Sequence, residues 1–324
     1  MKRLTVLGLI GFAAISLAQP APGPRRGGVL QDAPPILRKM MMSARTLKYS
    51  GTRVVTVKRG ADRESHTELI LRDGPRMRIE FPQGSPQHGQ IIIEAGRDRF
   101  HFFPGLNEIH TMPSRADDGV ERLGMFLRER AAALKITTSR GPVIAELPTE
   151  AVVISDKQGN PVQRLWIHPR SGMLVKRELV DPLGTVVGAY EFQSVNLNPE
   201  IKEEDFRVRR QGAKVVAPRD ILRRMAREAG LEPLTLPEGE RYRLEGARVM
   251  NNERGKILVQ TYQSPTGPLS FFATKMDINL ERFRRLASRD SFRSFAWQQG
   301  GVTYALVGNE TDETLKRLAR QIGN

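Results

Sequence analysis

Cysteine is absent from all 324 residues, which excludes disulfides, thiolate metal sites, a cysteine nucleophile and the acylated cysteine of a lipoprotein. Any stability must come from packed cores. Histidine occurs five times, and none of the five belongs to an HExxH or similar metal-ligand cluster. His101 and His110 fall on neighbouring expected strands, where isolated histidines usually face solvent. No G-x-S-x-G elbow, P-loop or G-x-G-x-x-G fingerprint is present. The chain is therefore read as a non-enzyme without cofactor or metal. After residue 18 no apolar run is long enough to span a bilayer, which takes roughly 20 residues.

What is present begins with MKRLTVLGLIGFAAISLAQPAP. Lys2 and Arg3 precede an uncharged, mostly apolar run from Leu4 to Ala18 and a small-residue, proline-rich exit. That is the layout of a secretory signal peptide over residues 1–18. The mature protein is then expected outside the cytoplasm, in the periplasm or an equivalent compartment, without a transmembrane anchor. The formal net charge is +15, and only two of those charges leave with Lys2 and Arg3. An exported chain without a nucleic-acid motif points to acidic peptides, anionic head groups or a charged envelope as partners, and to no nucleic acid. The excess is also what a solvated, arginine-rich surface would give: 39 of the 51 basic residues are Arg.

Residues 19–31, QPAPGPRRGGVLQ, form a flexible lead-in. Asp32 or Ala33 then caps a helix with Pro34 and Pro35 in its first turn, and Ile36, Leu37, Met40, Met41, Ala44 and Leu47 share one face. The methionines read as packing residues. From Tyr49 the period changes to two, and six short β-rich segments follow, broken by Gly, Pro, Asp and Asn. Ser114 and Asp117 suggest a capping box for a second helix to about Arg130. Strands resume with LKITTS and EAVVISDKQG. Turn chemistry at Pro169–Gly172 and Asp181–Gly184 makes residues 162–197 a three-stranded antiparallel unit. So much sheet with two helices must close on itself or curl around them. The expected fold class is α+β: a curved antiparallel half-barrel with helices on its concave side over residues 32–208, then a linker at 209–217. A smaller α/β domain follows over 218–324, in which LERFRRLA is a short helical candidate.

Two sets of side chains are candidate binding residues. Phe81, Ile92, Phe102, Trp166 and Leu174 come from different strands and could line an apolar cavity, or fill an ordinary core. Trp166 would suit a cavity rim, with one end apolar and the other wet. In the helix after Pro218, Arg219, Arg223 and Arg227 lie opposite the apolar stripe of Ile221, Leu222, Met225, Ala226 and Ala229. Such a helix either meets an acidic partner or packs its stripe on its own domain with a solvated outer face.

The segments LRKMMMSARTLKYSGTRVV, LRDGPRMRIEFP, AGRDRFHFFPGLNEIHTMP and RLWIHPRSGMLVKRELVDPLGTVVGAYEFQSVNLNPEIKEEDFRV resemble, in order and spacing, the lipoprotein-sorting fold of the LolA carriers. The N-terminal domain of the RseB/MucB family of sigma-E regulators shares that fold. The resemblance covers roughly residues 33–208. LPEGERYRLEG through WQQGGVTYALVGNETDETLKRLARQI looks like the further C-terminal domain of the regulators. The resemblance implies a periplasmic protein that binds the extracytoplasmic segment of a membrane-bound anti-sigma factor and senses lipid, lipoprotein acyl chains or unfolded outer-membrane protein. A LolA-like carrier of lipoproteins or lipids, which needs an open lumen, and a structural envelope protein, which needs none, are the competing readings. Mass spectrometry of the exported protein is expected to find its first residue at Gln19 or Pro22, the two small-residue exits of the leader.

Overall fold

The computed structural model describes residues 33–114, 120–237, 241–277 and 293–322. The expected signal peptide and lead-in, Asp32, Asp117 and the LERFRRLA segment lie outside them. The chain forms two units, one of Pro22–Ile109 with Ser114–Lys214, the other of Val215–Asn324 with His110–Pro113. Residues 209–214, expected in a linker, thus count with the first unit. Nor is 209–217 a free tether, because Lys214–Val216 is itself a strand.

In the first unit helix α1 (Pro35–Ser43) starts from Pro34, whose carbonyl accepts from Leu37 and Arg38 N–H. Its cap thus sits one residue past the expected Ala33. Ile36, Leu37 and Met40 are buried, whereas Met42 is 78% exposed, so the methionine run packs through its first members only. Six strands follow: β1 (Lys48–Arg59), β2 (Asp62–Asp73), β3 (Arg76–Glu80), β4 (Ile91–Ala95), β5 (Asp98–Phe103) and β6 (Glu108–Pro113). Helix α2 (Val120–Arg130) comes next, then β7 (Leu134–Arg140), β8 (Glu150–Asp156), β9 (Pro161–Ile167), β10 (Leu174–Val180) and β11 (Val186–Asn196). With β12 (Lys214–Val216) they make one open sheet in the order β12-β6-β5-β4-β3-β2-β1-β11-β10-β9-β8-β7.

Bulges at Thr52/Arg53, Ile154/Ser155, Leu174/Lys176 and Leu179/Val180 interrupt the ladder. A bulge bends its strand and increases local twist, so the sheet need not stay flat. Helices α1 and α2 bury Leu37, Met40, Leu123 and Leu127 against Val152, Ile154, Leu165 and Ile167 of β8 and β9. This is the mixed architecture, a large open sheet with few helices, that the alternating sequence demanded.

The β9-β10-β11 meander has the two expected turns. At the second, the Asp181 carboxylate accepts from the N–H of Leu183 (3.0 Å) and of Thr185 (2.8 Å), an Asx arrangement that Asp favours at turns. Gly184 completes it at φ +79°. The first turn does more. Gly172, at φ +76°, lies so close to α1 that an added Cβ would stand 2.5 Å from Ser43 Oγ and 3.0 Å from Lys39 O. Lys39 Nζ in turn donates to Pro169 O at 2.7 Å. A turn thereby clamps the end of α1 to the sheet.

The second unit has α3 (Pro218–Ala229), β13 (Arg243–Asn252), β14 (Gly255–Ser264), β15 (Gly267–Thr274), β16 (Arg293–Gln299), β17 (Val302–Gly308) and α4 (Asp312–Ile322). Its sheet runs β13-β14-β15-β17-β16, and its neighbouring strands pair antiparallel. Leu222 and Ala226 of α3 pack on Leu258 and Ala273. From α4, Leu315, Leu318 and Ala319 pack on Phe271 and Leu306.

The two glycine turns separate strain from contact. Gly184→Ala, with open space around it, should lose only the left-handed backbone cost of about 1–2 kcal/mol. Gly172→Ala should lose clearly more, because Ser43 and Lys39 must also move. Thermal unfolding of the two variants should therefore give a larger drop for Gly172→Ala.

Candidate functional site

Register decides which side chains share a face of the large sheet. Gly51, Ile70, Ile79 and Ile92 stand opposite one another in turn across β1–β4. Tyr49, two residues from Gly51, and Arg72, two from Ile70, are on the same side and form part of the lining beneath α1 with Met40 and Tyr190. That space amounts to about 20 Å³, room for one water at most. The helix-covered face is filled.

One polar cluster interrupts this face. Arg53 Nε donates to Glu68 Oε2 at 2.7 Å, and His66 Nε2 lies 2.9 Å from Glu68 Oε1. Arg53 also lies over the Tyr190 ring, 4.9 Å from its centroid. Arg53 and Glu68 are both buried. Burial pushes the Glu68 carboxyl up, but the hydrogen bond from His66 and the charge of Arg53 outweigh it and hold the group below its ordinary value. A buried ion pair of this kind is costly to break from one side.

The opposite face differs. Ile91 pairs with Phe102 across β4 and β5, and Ile91, Ile93, Phe102 and Ile109 form a separate core with Phe206. Their cover is an irregular segment after β11. A single 3-10 turn at Glu203–Phe206 is held by Asp205 Oδ2, which accepts from Lys202 N–H at 2.7 Å. Arg78 of β3 reaches across to donate to the carbonyls of Asp205 (2.8 Å) and Arg207 (3.3 Å). Arg76 stacks its guanidinium 4.6 Å from the Phe206 ring centroid. Beyond the turn, Phe206 and Val208 face the sheet while Arg207 and Arg209 are exposed.

The cover is incomplete. Between it and the sheet runs an open cleft of about 380 Å³, within the usual size of ligand sites. Leu69, Leu71 and Ile91 make an apolar floor, Arg78 and Glu80 one wall, and Glu204, Arg207, Arg209 and Arg210 the rim. Leu69 is 41% exposed. Arg78 is engaged with Glu80 and the backbone, and Arg207 lies 4.0 Å from Glu203. Arg210 sits 5.8 Å over the Phe102 ring. Among the described residues neither Arg209 nor Arg210 has an acidic partner. The cleft can thus receive an anionic group at its rim and apolar groups on its floor.

The five expected cavity residues do not line one cavity. Phe81 and Ile92 belong to the core around Tyr49 and Phe192. Phe102 is on the other face, and Leu174 is in the core under α1 and α2. Trp166 packs partly against the first of these cores, and its cross-strand neighbour Lys176 holds Nζ 4.8 Å from the ring. An apolar pocket shared by all five is corrected by strand parity: neighbouring residues of β4 point to opposite faces. Arg219, Arg223 and Arg227 are exposed on α3. Arg223 pairs with Asp220 at 2.9 Å, and the apolar stripe is spent inside its own unit. His101 bonds Gln90 at 2.8 Å, and no group of three or more His, Cys, Asp or Glu among the described residues is placed to hold a metal ion. No helix among them is long and apolar enough to cross a membrane.

No family profile matches the sequence, and no curated protein matches it. Among solved structures the chain is similar to MucB of Pseudomonas aeruginosa in its complex with MucA, at 13% identity and a TM-score of 0.45, over 88% of this chain and 95% of that one. A crystal structure of MucB gives 13% and 0.45 over 90% and 96%. A LolA superfamily protein from Nitrosomonas europaea gives 12% and 0.29 over 56% of this chain and 99% of its own.

The depressed Glu68 group gives a pH dependence with a definite sign. Its contribution to stability is complete above the unfolded carboxyl value, about 4.3, and is lost as pH falls through the lower folded value. Glu68→Gln should flatten this acid limb in urea titrations taken from pH 7 down to 3. It should also cost on the order of 3 kcal/mol at pH 7, since it leaves Arg53 buried without its anion.

Proposed function

We propose that this is a non-enzymatic periplasmic binding protein of the regulator kind, which holds an acidic, partly apolar extracytoplasmic segment of a membrane-bound anti-sigma factor in the arginine-rimmed cleft. The observation that carries this reading is the contrast between the two faces of the large sheet. The helix side has room for about 20 Å³, and the other side is open over about 380 Å³. A carrier of acyl chains needs a lumen beneath its helices, and here α1 would first have to leave the sheet. A binder of an acidic segment needs cations without partners beside an apolar floor, as Arg209 and Arg210 stand beside Leu69, Leu71 and Ile91. The sequence resemblance to RseB/MucB regulators over both halves of the chain supports the same reading, as does the strongly basic composition. Exposed Arg219, Arg223 and Arg227 are a candidate second contact for the same acidic partner.

In-cell crosslinking of the mature protein, followed by affinity purification and mass spectrometry, tests the proposal. Wild type should retain a single-pass protein with a cytoplasmic sigma-binding domain. Replacing Arg209 and Arg210 together by Glu should weaken that capture about tenfold or more, without altering thermal unfolding, because both side chains are exposed. Binding should also weaken as salt is raised. Recovery of acylated lipoproteins alone, or capture unaffected by the double reversal, would sink the assignment.

A further inference from the structure

The large sheet ends very differently at its two edges. One edge is β12, three residues long; the other is β7, seven residues from Leu134 to Arg140. Strand β7 pairs with β8 at every position from Leu134↔Asp156 to Arg140↔Glu150 without a bulge. It contains no proline, and from Thr137 onward every residue is exposed. Among the described residues no bond from its backbone leads anywhere but to β8. A long, regular strand with one free row of N–H and C=O groups is a template for a further strand, and proteins usually blunt such edges with proline, bulges or cover.

We propose that the strand completing this edge is β7 of a second copy of the chain, in antiparallel register about a two-fold axis through Thr137. Antiparallel pairing sets the constraint. Only alternate residues point their backbone groups outward, so outward residues must meet outward residues, and a two-fold axis must pass through a residue rather than between two. That rule removes the register in which Lys135 would face Arg140. With Thr137 on the axis all seven residues pair: Leu134 with Arg140, Lys135 with Ser139, Ile136 with Thr138, and Thr137 with itself. Like charges are nowhere directly opposite, and Thr–Thr is a favourable cross-strand pair. The contact is one strand wide, which makes the dimer weak and concentration-dependent. Two basic chains meet in it, so added salt strengthens it, the reverse of what an acidic peptide on this edge would show.

The absence of cysteine supplies the test. In the full mature protein, Thr137→Cys should form an intermolecular disulfide under mild oxidation, because the axis brings residue 137 against its own copy within disulfide reach. Thr138→Cys should not, since residue 138 faces Ile136 of the copy. Sedimentation equilibrium of the unmodified protein should show a monomer–dimer equilibrium that tightens with salt. Thr137→Lys puts two ammonium groups together only in the dimer, and it should shift that equilibrium several-fold towards monomer with an unchanged melting temperature. A protein that remains monomeric to about 1 mM, a dimer indifferent to Thr137→Lys, or equal crosslinking at 137 and 138 would overturn the proposal. Association that weakens with salt would overturn it as well.

Discussion

A large sheet exposes two faces, and burying both is the constraint from which the architecture of the first unit follows. Helices α1 and α2 supply cover for only part of one face, over β8 and β9. On β4 the run Ile91-Ile92-Ile93 is buried on both sides, Ile92 in one core and its neighbours in another. A strand that is apolar at every position needs protein on each side of it. On the far side only the irregular segment after β11 is available. It fastens itself through Phe206, the Arg78 bonds to its carbonyls and the stacked Arg76. A helix would have covered more of the sheet per residue. This segment covers less, and Leu69 is left partly in solvent at the mouth of the cleft.

The same constraint determines what arginine does. Thirty-nine arginines cannot all be surface charge, and several are structural: Arg53 inside the helix-covered face, Arg72 donating to Ala44 O at the end of α1, and Arg78 clamping the covering segment. In each of these the guanidinium meets acceptors that are fixed in place, where its planar fork loses little freedom on bonding. The residues at the cleft rim are different in kind. They follow Phe206 with exposed and sheet-facing positions alternating, so that burial of Phe206 and Val208 itself turns Arg207 and Arg209 outward.

Much of the fold was legible in the sequence because its signals are local. The hairpin at Asp181–Gly184 is carried by an aspartate whose carboxylate bonds two nearby amides and by a glycine at positive φ. Helix α3 shows its stripe, and α4 starts where Thr311 Oγ1 accepts from Thr314 N–H at 3.2 Å. The binding residues were not local. Phe102 and Ile92 are both large, apolar and strand-borne, yet they part company because Ile91, not Ile92, stands opposite Phe102. That depends on how many residues the β4–β5 turn consumes. Likewise RVRRQG has no period and reads as a tether, since its role comes from a sheet face more than a hundred residues earlier. The one available signal was Phe206, a large aromatic in a stretch otherwise composed for solvent.

These features bear on how the molecule could respond to a ligand. Opening the filled face would require α1 to separate from β8 and β9, and its end is tied down twice by the His168–Met173 turn, through Lys39 and through the close approach of Gly172 to Ser43. That turn holds His168, buried, with Nδ1 2.8 Å from Ser171 Oγ. Burial, then the nearby charges of Arg170 and Lys39, depress its pKa, so the neutral ring is the form this packing favours. Widening the cleft requires less. Its cover is irregular, tethered by a few arginine contacts, and lacks the cooperative hydrogen bonding of a helix. Segments with few buried apolar contacts are the first to open. The face that is already open is therefore also the face that can adapt, and the helix-covered side acts as the rigid frame against which it does so.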